Sequence, residues 1–237
     1  MPELNHYGQH VGNLLTHWSG VQPLPHSVLQ GRYCRLEPLD VRVHTPHLLH
    51  AYSQAEDDSD WTWLASGRPD DVDSMARWVI GKMIDKSVHP FAVVDAATNR
   101  AVGVIAWLAN NTQHGTVEIG HVTWSPLMKK SVLGTEAVWL MLRHAFVCDY
   151  RRVEWKCDTL NVASRRAAER LGFTWEGCFR QHMVRKGRNR DTDYLSMLDS
   201  EWPQRDAAIS AWLSASNFDS QGQQKQTLAT FFANVSP

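Results

Sequence analysis

"NVASRRAAERLGF", residues 161–173, has the features of a short helix that is closed at both ends. Asn is favoured at the N-cap of a helix, so Asn161 predicts where this one starts. Gly172 suits the position after the last turn, where the backbone commonly adopts a positive φ. Ser164 follows Asn161 by three positions and would complete a capping interaction, which gives the pair a purely structural explanation. The stretch predicts a helix over residues 161–172.

Strand and helix patterns alternate on both sides of this helix. Alternating or continuously apolar runs predict strands at 31–39, 91–95, 101–108, 116–124, 151–158, 173–184 and 191–202. Helical periodicity and capping residues predict further helices from Pro46 onward, at 72–83, from about Gly134 to Cys148, and at 204–213. Because strands outnumber the helices between them, the order predicts an α/β (α+β) fold whose sheet is mixed and not doubly wound.

Composition limits the class of protein. The 237 residues, 43% of them hydrophobic, suffice for one domain with extensions. The net charge of −1 gives no reason to expect nucleic acid or an anionic membrane as a partner. The N-terminus lacks a basic and then apolar leader, and no window approaches eighteen apolar residues, so a cytoplasmic protein is expected. Four widely spaced cysteines without metal-ligand spacing predict buried free thiols and no metal site.

Charge is distributed unevenly along the chain. Residues 129–190 hold fourteen Lys and Arg against six acids. Residues 56–73 carry a single Arg and seven acids, which are Glu56, Asp57, Asp58, Asp60, Asp70, Asp71 and Asp73. The contrast predicts one region that favours an anionic ligand and another that favours a cationic one, although two solvated surfaces would give the same pattern.

Five short motifs occur in an order that resembles the GNAT N-acetyltransferase superfamily, and in particular the branch of ribosomal-protein N-terminal acetyltransferases. They are "EIG" at 118–120, "TEA" at 135–137, N-x-x-S at 161–164, "LGF" at 171–173 followed by Glu176-Gly177, and "EW" at 201–202. The resemblance covers roughly residues 31–203, which are expected to form the acetyltransferase domain. Residues 1–30 would be an extension packed on the core, and residues 204–237 a helix with a polar tail.

The resemblance implies a GNAT-type acyl-CoA N-acyltransferase fold, in which a mixed, mostly antiparallel sheet is flanked by helices and its central strands splay apart. It also implies acetyl-CoA as cosubstrate, with the pantetheine arm between strands 116–124 and 151–158. The pyrophosphate would lie on the N-terminus of the helix beginning near Gly134, a placement that the helix dipole also favours.

The family signature Q/R-x-x-G-x-G/A falls on residues 129–134, where Val132 replaces the middle glycine. A side chain at this position would crowd the phosphates or require another loop path. The cofactor-binding residues implied by the resemblance are Lys129, Lys130, Ser131, Val132, Leu133, Gly134, Thr135, Asn161, Ser164 and Arg165.

For catalysis, the resemblance makes Glu118 the strongest candidate for the general base and Ser164 the donor of a proton to the leaving thiolate. Glu118 would otherwise tie down a neighbouring loop. His121 is expected on the opposite side of the strand or one pleat away, and Asp158 and Tyr194 remain further candidates for the base.

The substrate contacts are expected from Trp61, Trp63 and Tyr194, although both tryptophans would equally suit a core. With the acids of 56–73, they predict a pocket for a cationic primary amine, such as a peptide N-terminus or a small amine, acetylated in a ternary complex. The alternatives are another acyl donor such as succinyl-CoA, and a CoA-binding module without catalysis. A homodimer is one arrangement that the resemblance allows.

Overall fold

The computed structural model describes residues 3–234, which form ten strands and six α-helices. The strands are β1 (Glu3–Leu4), β2 (His10–Val11), β3 (Leu29–Gln30), β4 (Cys34–Pro38), β5 (His89–Asp95), β6 (Arg100–Asn111), β7 (Thr116–Trp124), β8 (Arg152–Asp158), β9 (Thr174–Arg185) and β10 (Arg188–Leu198). The helices are α1 (Val41–Ser53), α2 (Val72–Met83), α3 (Val132–Val147), α4 (Val162–Arg170), α5 (Trp202–Trp212) and α6 (Leu228–Asn234).

Eight of these strands form one sheet in the order β3-β4-β5-β6-β7-β8-β10-β9. Neighbouring strands are antiparallel except β7 and β8, which are parallel. The predicted mixed, mostly antiparallel sheet with flanking helices is therefore confirmed. The parallel ladder pairs Thr116 with Arg152 and ends at Ile119 with Trp155, although both strands continue beyond that point. The central strands consequently splay apart in the second half of β7.

The helices cover both faces of the sheet. On one face α1 and α2 bury Leu48, Tyr52, Met75 and Val79 against β5 and β6. On the other, the apolar stripe of α3 packs with α4 and α5 in the larger core. Because a sheet with apolar residues on both faces must be covered twice, this three-layer arrangement follows from the hydrophobic runs of β5 and β6.

The start of α1 differs from the sequence prediction, whereas the start of α2 agrees with it. Helix α1 begins at Val41 instead of Pro46, because the Asp40 side chain accepts hydrogen bonds from the backbone N–H groups of Arg42 and Val43. Pro46 lies inside the helix. The prediction for α2 holds, with Asp71 and Ser74 forming a capping box, although Val72 is exposed and not part of the buried stripe.

The terminal segments pack against the domain. In the N-terminal segment, Leu24 is buried and the indole of Trp18 donates to the carbonyl of Gln113 (2.9 Å). In the C-terminal segment, α6 buries Leu228 where the sequence predicted only a polar tail. No helix within residues 3–234 combines the length and the apolar character needed to cross a membrane. All four cysteines are free thiols, but Cys178 is exposed, contrary to the expectation of burial.

Candidate active site

A cleft of about 540 Å³ opens where β7 and β8 separate. Its walls come from the second half of β7, the end of β8, the start of α4, the α1–α2 loop with α2, and the β9–β10 hairpin. Beyond Ile119, β7 has no partner on its β8 side, so backbone donors and acceptors are available along this edge. An edge of this kind can pair with an extended ligand as an added strand would.

A bulge in β7 changes which side chains face the cleft. Ala106 pairs with Gly120 and Val104 with Thr123, so two residues of β7 oppose one of β6. His121 occupies the bulge with φ +51°, a left-handed conformation that is uncommon for this residue type. His121, which was expected on the opposite side of the strand or one pleat away, lines the same cleft as Glu118.

Glu118 lies at the point where the two strands diverge. Its side chain is 14% exposed and its Oε2 is 2.9 Å from Nζ of Lys156, which is in turn 3.1 Å from a carboxylate oxygen of Glu154. Burial raises the pKa of Glu118, and the Lys156 ammonium opposes this shift. A carboxylate with a raised pKa, at a cleft and within reach of solvent, is suited to proton abstraction.

The start of α4 forms the opposite wall. Asn161 is the N-cap, and its Oδ1 accepts from the backbone N–H of Ser164 (3.1 Å), as predicted. The Ser164 hydroxyl accepts a hydrogen bond from the indole N–H of Trp155 (3.0 Å). Because that bond uses an oxygen lone pair, the hydroxyl proton of Ser164 remains available to another acceptor. Both Asn161 and Ser164 line the cleft together with Glu118.

The N-terminus of α3 is the expected pyrophosphate site, and it begins two residues earlier than predicted. Ser131 is the N-cap and accepts from the backbone N–H of Leu133 (3.2 Å). Val132 is therefore the first helical residue, and its side chain packs against the larger core. The left-handed position of the loop is Lys130, with φ +56°. The backbone conformation of Val132 does not require glycine, because the left-handed residue of the loop is Lys130.

The other predicted cofactor contacts near α3 differ in their surroundings. Lys130 is exposed, whereas Lys129 forms an ion pair with Asp60 of the α1–α2 loop. Gly134 lies beside the indole of Trp124. The hydroxyl of Thr135 accepts a hydrogen bond from Arg170 (2.9 Å), a residue that was not among the predicted contacts. No residue of 129–135 lines the cleft, so this helix N-terminus is a separate part of the site.

Arg165 contacts residues of α4, β9 and β10. Its guanidinium contacts Glu169 at 2.9 Å and the buried Asp193 at 3.4 Å, and it lies over the ring of Trp175. The structure accounts for Arg165 through these contacts and does not bring it to the other predicted phosphate contacts.

The acidic segment 56–73 does not form the expected acidic pocket. Asp58 pairs with Arg68 (2.7 Å), Asp60 with Lys129, and Asp71 caps α2. The part of the loop that lines the cleft is 63–66, which contains no acid. The carboxylates hold the loop and the helix in place instead of facing a substrate.

Of the three residues predicted to contact the substrate, one is buried in the core and two line the cleft. Trp61 is 3% exposed and packs edge-on against Tyr52 and Trp78, so the structure buries it in the smaller core and away from the cleft. Trp63 and Tyr194 do line the cleft. The burial of Trp61 supports the alternative that it is a core residue.

Sequence reasoning missed most of the polar side chains that line the cleft from α2 and the β9–β10 hairpin. His182 lines the cleft through β9, Lys82 through α2, and Arg185 and Arg190 through the two ends of the β9–β10 hairpin. The signal was present in "RKGRNR" at 185–190, but charged residues in a hairpin turn are ordinarily solvated.

The comparisons with known proteins agree with this geometry. The model of the acetyltransferase (GNAT) domain family matches residues 35–174. A GCN5-related N-acetyltransferase from Brucella melitensis is 42% identical, with a TM-score of 0.89 over 92% of this chain and 100% of that one. A GNAT-family protein from Chromobacterium violaceum ATCC 12472 is 38% identical, with a TM-score of 0.75 over 81% and 96%.

A Vibrio cholerae protein provisionally described as a ribosomal-protein-serine acetyltransferase is 16% identical, with a TM-score of 0.61 over 72% of this chain and 97% of that one. This likeness shows the fold alone. No curated protein matches the chain. The domain match spans more than half of the sequence, and the Brucella structure is similar over nearly all of it. The chain belongs to the GNAT acetyltransferase family.

Proposed function

We propose that the protein transfers an acetyl group from acetyl-CoA to a primary amine by direct attack in a ternary complex. The observation that carries the proposal is the opening between β7 and β8, with Glu118 on one wall and Asn161 and Ser164 on the other. Two substrates that meet in one cleft can react without a covalent enzyme intermediate, because the protein supplies proximity and proton transfer.

The residues present fit an acyl-CoA at two places. The first turn of α3 offers backbone N–H groups without intrahelical acceptors and the positive end of the helix dipole, beside the exposed ammonium of Lys130. The unpaired edge of β7 beyond Ile119 offers backbone groups to the amides of a pantetheine arm. Acetyl-CoA supplies an activated thioester, and the remaining chemistry depends on the side chains of the cleft.

Attack on a thioester requires a neutral amine, so the ammonium must first lose a proton. Glu118 is the base in this proposal, because burial raises its pKa and it lies at the head of the cleft. Backbone N–H groups of β7 would stabilise the negative charge that develops on the carbonyl oxygen. The hydroxyl of Ser164 would then donate its proton to the departing thiolate.

The proposal is tested by measuring free thiol released from acetyl-CoA against a panel of primary amines. We expect release that depends on both the amine and the protein, and a fall in kcat of roughly 100-fold or more in Glu118→Gln, the usual contribution of a general base. Glu169→Gln, which changes an exposed carboxylate on α4, is the matched control and should retain activity. Binding of acetyl-CoA without turnover on any amine would favour a non-catalytic CoA-binding module instead.

A further inference from the structure

Three cations line the cleft from α2 and the β9–β10 hairpin. Lys82 comes from α2, and Arg185 and Arg190 come from the end of β9 and the start of β10. We name them the cation cluster. All three line the cleft, and within residues 3–234 none of them forms an ion pair. By contrast, Arg152 of β8 pairs with Glu154 and Glu176.

The two arginines are held in the cleft without hydrogen-bond partners for part of each guanidinium. Both side chains are half-buried, and in each the Nε atom is shielded from solvent and has no acceptor among the described residues. The Arg185 guanidinium makes a weak hydrogen bond, 4.0 Å long, to the sulfur of Met183. Burial lowers the pKa of Arg190 and the charge of Arg185 lowers it further, whereas the charges of Asp158 and Glu118 raise it and offset only part of the shift. The two arginines are therefore close enough to repel each other.

Lys82 completes the cluster from the other side of the cleft. Burial lowers its pKa to about 8, and its ammonium lies 4.4 Å from the centre of the Trp78 ring. The charges of Lys82 and Arg185 also contribute, after desolvation, to lowering the pKa of His121 to about 4. Desolvated like charges that approach one another are unfavourable until an anion joins them.

The phosphates of a CoA molecule do not explain the cluster. Their expected position is the N-terminus of α3, and none of residues 129–135 lines the cleft that contains Lys82, Arg185 and Arg190. The acids of the α1–α2 loop do not neutralise it either, because Asp58 and Asp60 pair with Arg68 and Lys129.

We propose that the cation cluster binds a carboxylate or phosphate carried by the acceptor amine, so that the enzyme acts on anionic amines. The inference rests on the proposed function and identifies its substrate class. It replaces the cationic amine that the acidic segment 56–73 led us to expect from the sequence. Two guanidinium groups match the oxygens of a carboxylate or phosphate. The cleft volume of about 540 Å³ suits a small acceptor or the first residues of a peptide.

The test uses acceptors in matched pairs that differ only in the anion: a C-terminally amidated dipeptide ending in Asp against the amidated dipeptide ending in Asn, and an amino sugar with and without a phosphate. Wild type is expected to favour the anionic member at least tenfold in kcat/KM with acetyl-CoA. In the double variant Arg185→Gln/Arg190→Gln this ratio should fall toward one. Arg188→Gln, which changes an exposed arginine of the same hairpin, should retain the wild-type ratio.

A second comparison identifies which substrate carries the anion. An acyl donor with a free carboxylate, such as succinyl-CoA, would also place an anion in the cleft. The turnover of succinyl-CoA is compared with that of acetyl-CoA, using one amine that carries no anionic group. If the double variant lowers turnover of succinyl-CoA alone, the cluster binds the acyl carboxylate, and the proposal for the acceptor is overturned. If the preference between matched acceptors is lost while succinyl-CoA is no better than acetyl-CoA, the acceptor carries the anion.

A binding measurement keeps the inference separate from the proposed function. Inorganic phosphate and glutarate should raise the melting temperature of the wild type more than that of the double variant, by mass action on the folded state. Lys82→Met changes the cation on α2 and should likewise reduce the melting-temperature shift caused by these anions. It replaces the double variant in this measurement if that variant folds poorly. Equal shifts in all variants, together with equal turnover of both members of each pair, would overturn the cluster as an anion site. Loss of all turnover with this binding intact would contradict only the proposed acetyl transfer.

Discussion

At the scale of the residue, the ionisation of Glu118 is controlled by burial and by neighbours of both charges. Burial raises its pKa, Lys156 lowers it, Glu154 raises it, and Arg190 lowers it. A general base must be deprotonated, so activity should increase as the pH rises through the pKa of Glu118. In the proposed mechanism, the surroundings of this carboxylate therefore determine the acidic limb of the pH profile.

Lys156→Met should move the acidic limb of kcat/KM to higher pH, because it removes the cation that favours the carboxylate form. Glu154→Gln should move it to lower pH, because it removes a repelling charge. The measurement is kcat/KM against pH for the wild type and both variants. Opposite displacements are diagnostic of Glu118, and unchanged or parallel limbs would assign the titration to another group.

Asn161 combines a helix cap with a position on the cleft wall, and one substitution separates the two roles. Asp caps helices as well as Asn, but it lacks the amide N–H₂ and adds a negative charge. Asn161→Asp should keep the wild-type stability and raise the KM for acetyl-CoA by about tenfold or more, a loss consistent with hydrogen bonds to a charged or polar ligand. Asn161→Ala should raise KM and also cost about 1 kcal/mol of unfolding free energy.

Denaturant unfolding and acetyl-CoA kinetics on the same two variants check this separation. A normal KM in Asn161→Asp would mean that the residue is a cap and nothing more.

At the scale of the element, a single carboxylate joins α3 to the start of β4. The buried Glu136 accepts backbone N–H groups from Arg32 (2.8 Å), Tyr33 (2.7 Å) and Cys34 (2.7 Å). A Cβ at Gly31 would lie 2.7 Å from this carboxylate and 2.6 Å from the carbonyl oxygen of Cys34, so the close approach requires glycine. The contact fixes the direction in which α3 crosses the sheet.

Glu136→Gln should lower the free energy of unfolding by about 1.5–3 kcal/mol, since an amide presents an N–H₂ group to donors that need an acceptor. The measurement is urea unfolding. Glu169→Gln, on an exposed pair with Arg165, is the control and should change stability by less than about 1 kcal/mol. Similar losses in both variants would show that Glu136 has no special part in holding the two elements together.

The sequence could predict elements more readily than the contacts between them. β7 was predicted with its observed bounds, because its alternation is clear and Ser125-Pro126 ends it. The bulge at His121 was not predicted, since an extra residue in one strand is defined only by its pairing with the next. The ion pair between Asp60 and Lys129 joins residues 69 positions apart. It was not predicted, because the sequence places Asp60 in the acidic segment 56–73 and Lys129 in the basic segment 129–190. Asn161 and Ser164 were predicted correctly as a helix start because capping is local.

At the scale of the whole molecule, the site has two ends that the fold keeps apart. The N-terminus of α3 lies outside the cleft, and the cation cluster lies inside it. The α1–α2 loop joins the two regions: Asp60 contacts Lys129 beside α3, and the carbonyl of Trp61 accepts from Lys186 of the β9–β10 hairpin (2.8 Å). In the proposed reaction, this arrangement would give each reactant its own charged region and one shared position near Glu118.

A crystal structure of the protein with acetyl-CoA tests the central claim most directly. We predict that the pyrophosphate lies against the first backbone N–H groups of α3, that the pantetheine arm runs between β7 and β8 beyond Ile119, and that the thioester sulfur lies within hydrogen-bond distance of the Ser164 hydroxyl. Acetyl-CoA bound elsewhere, or with its pantetheine arm outside the opening between the two strands, would contradict the account.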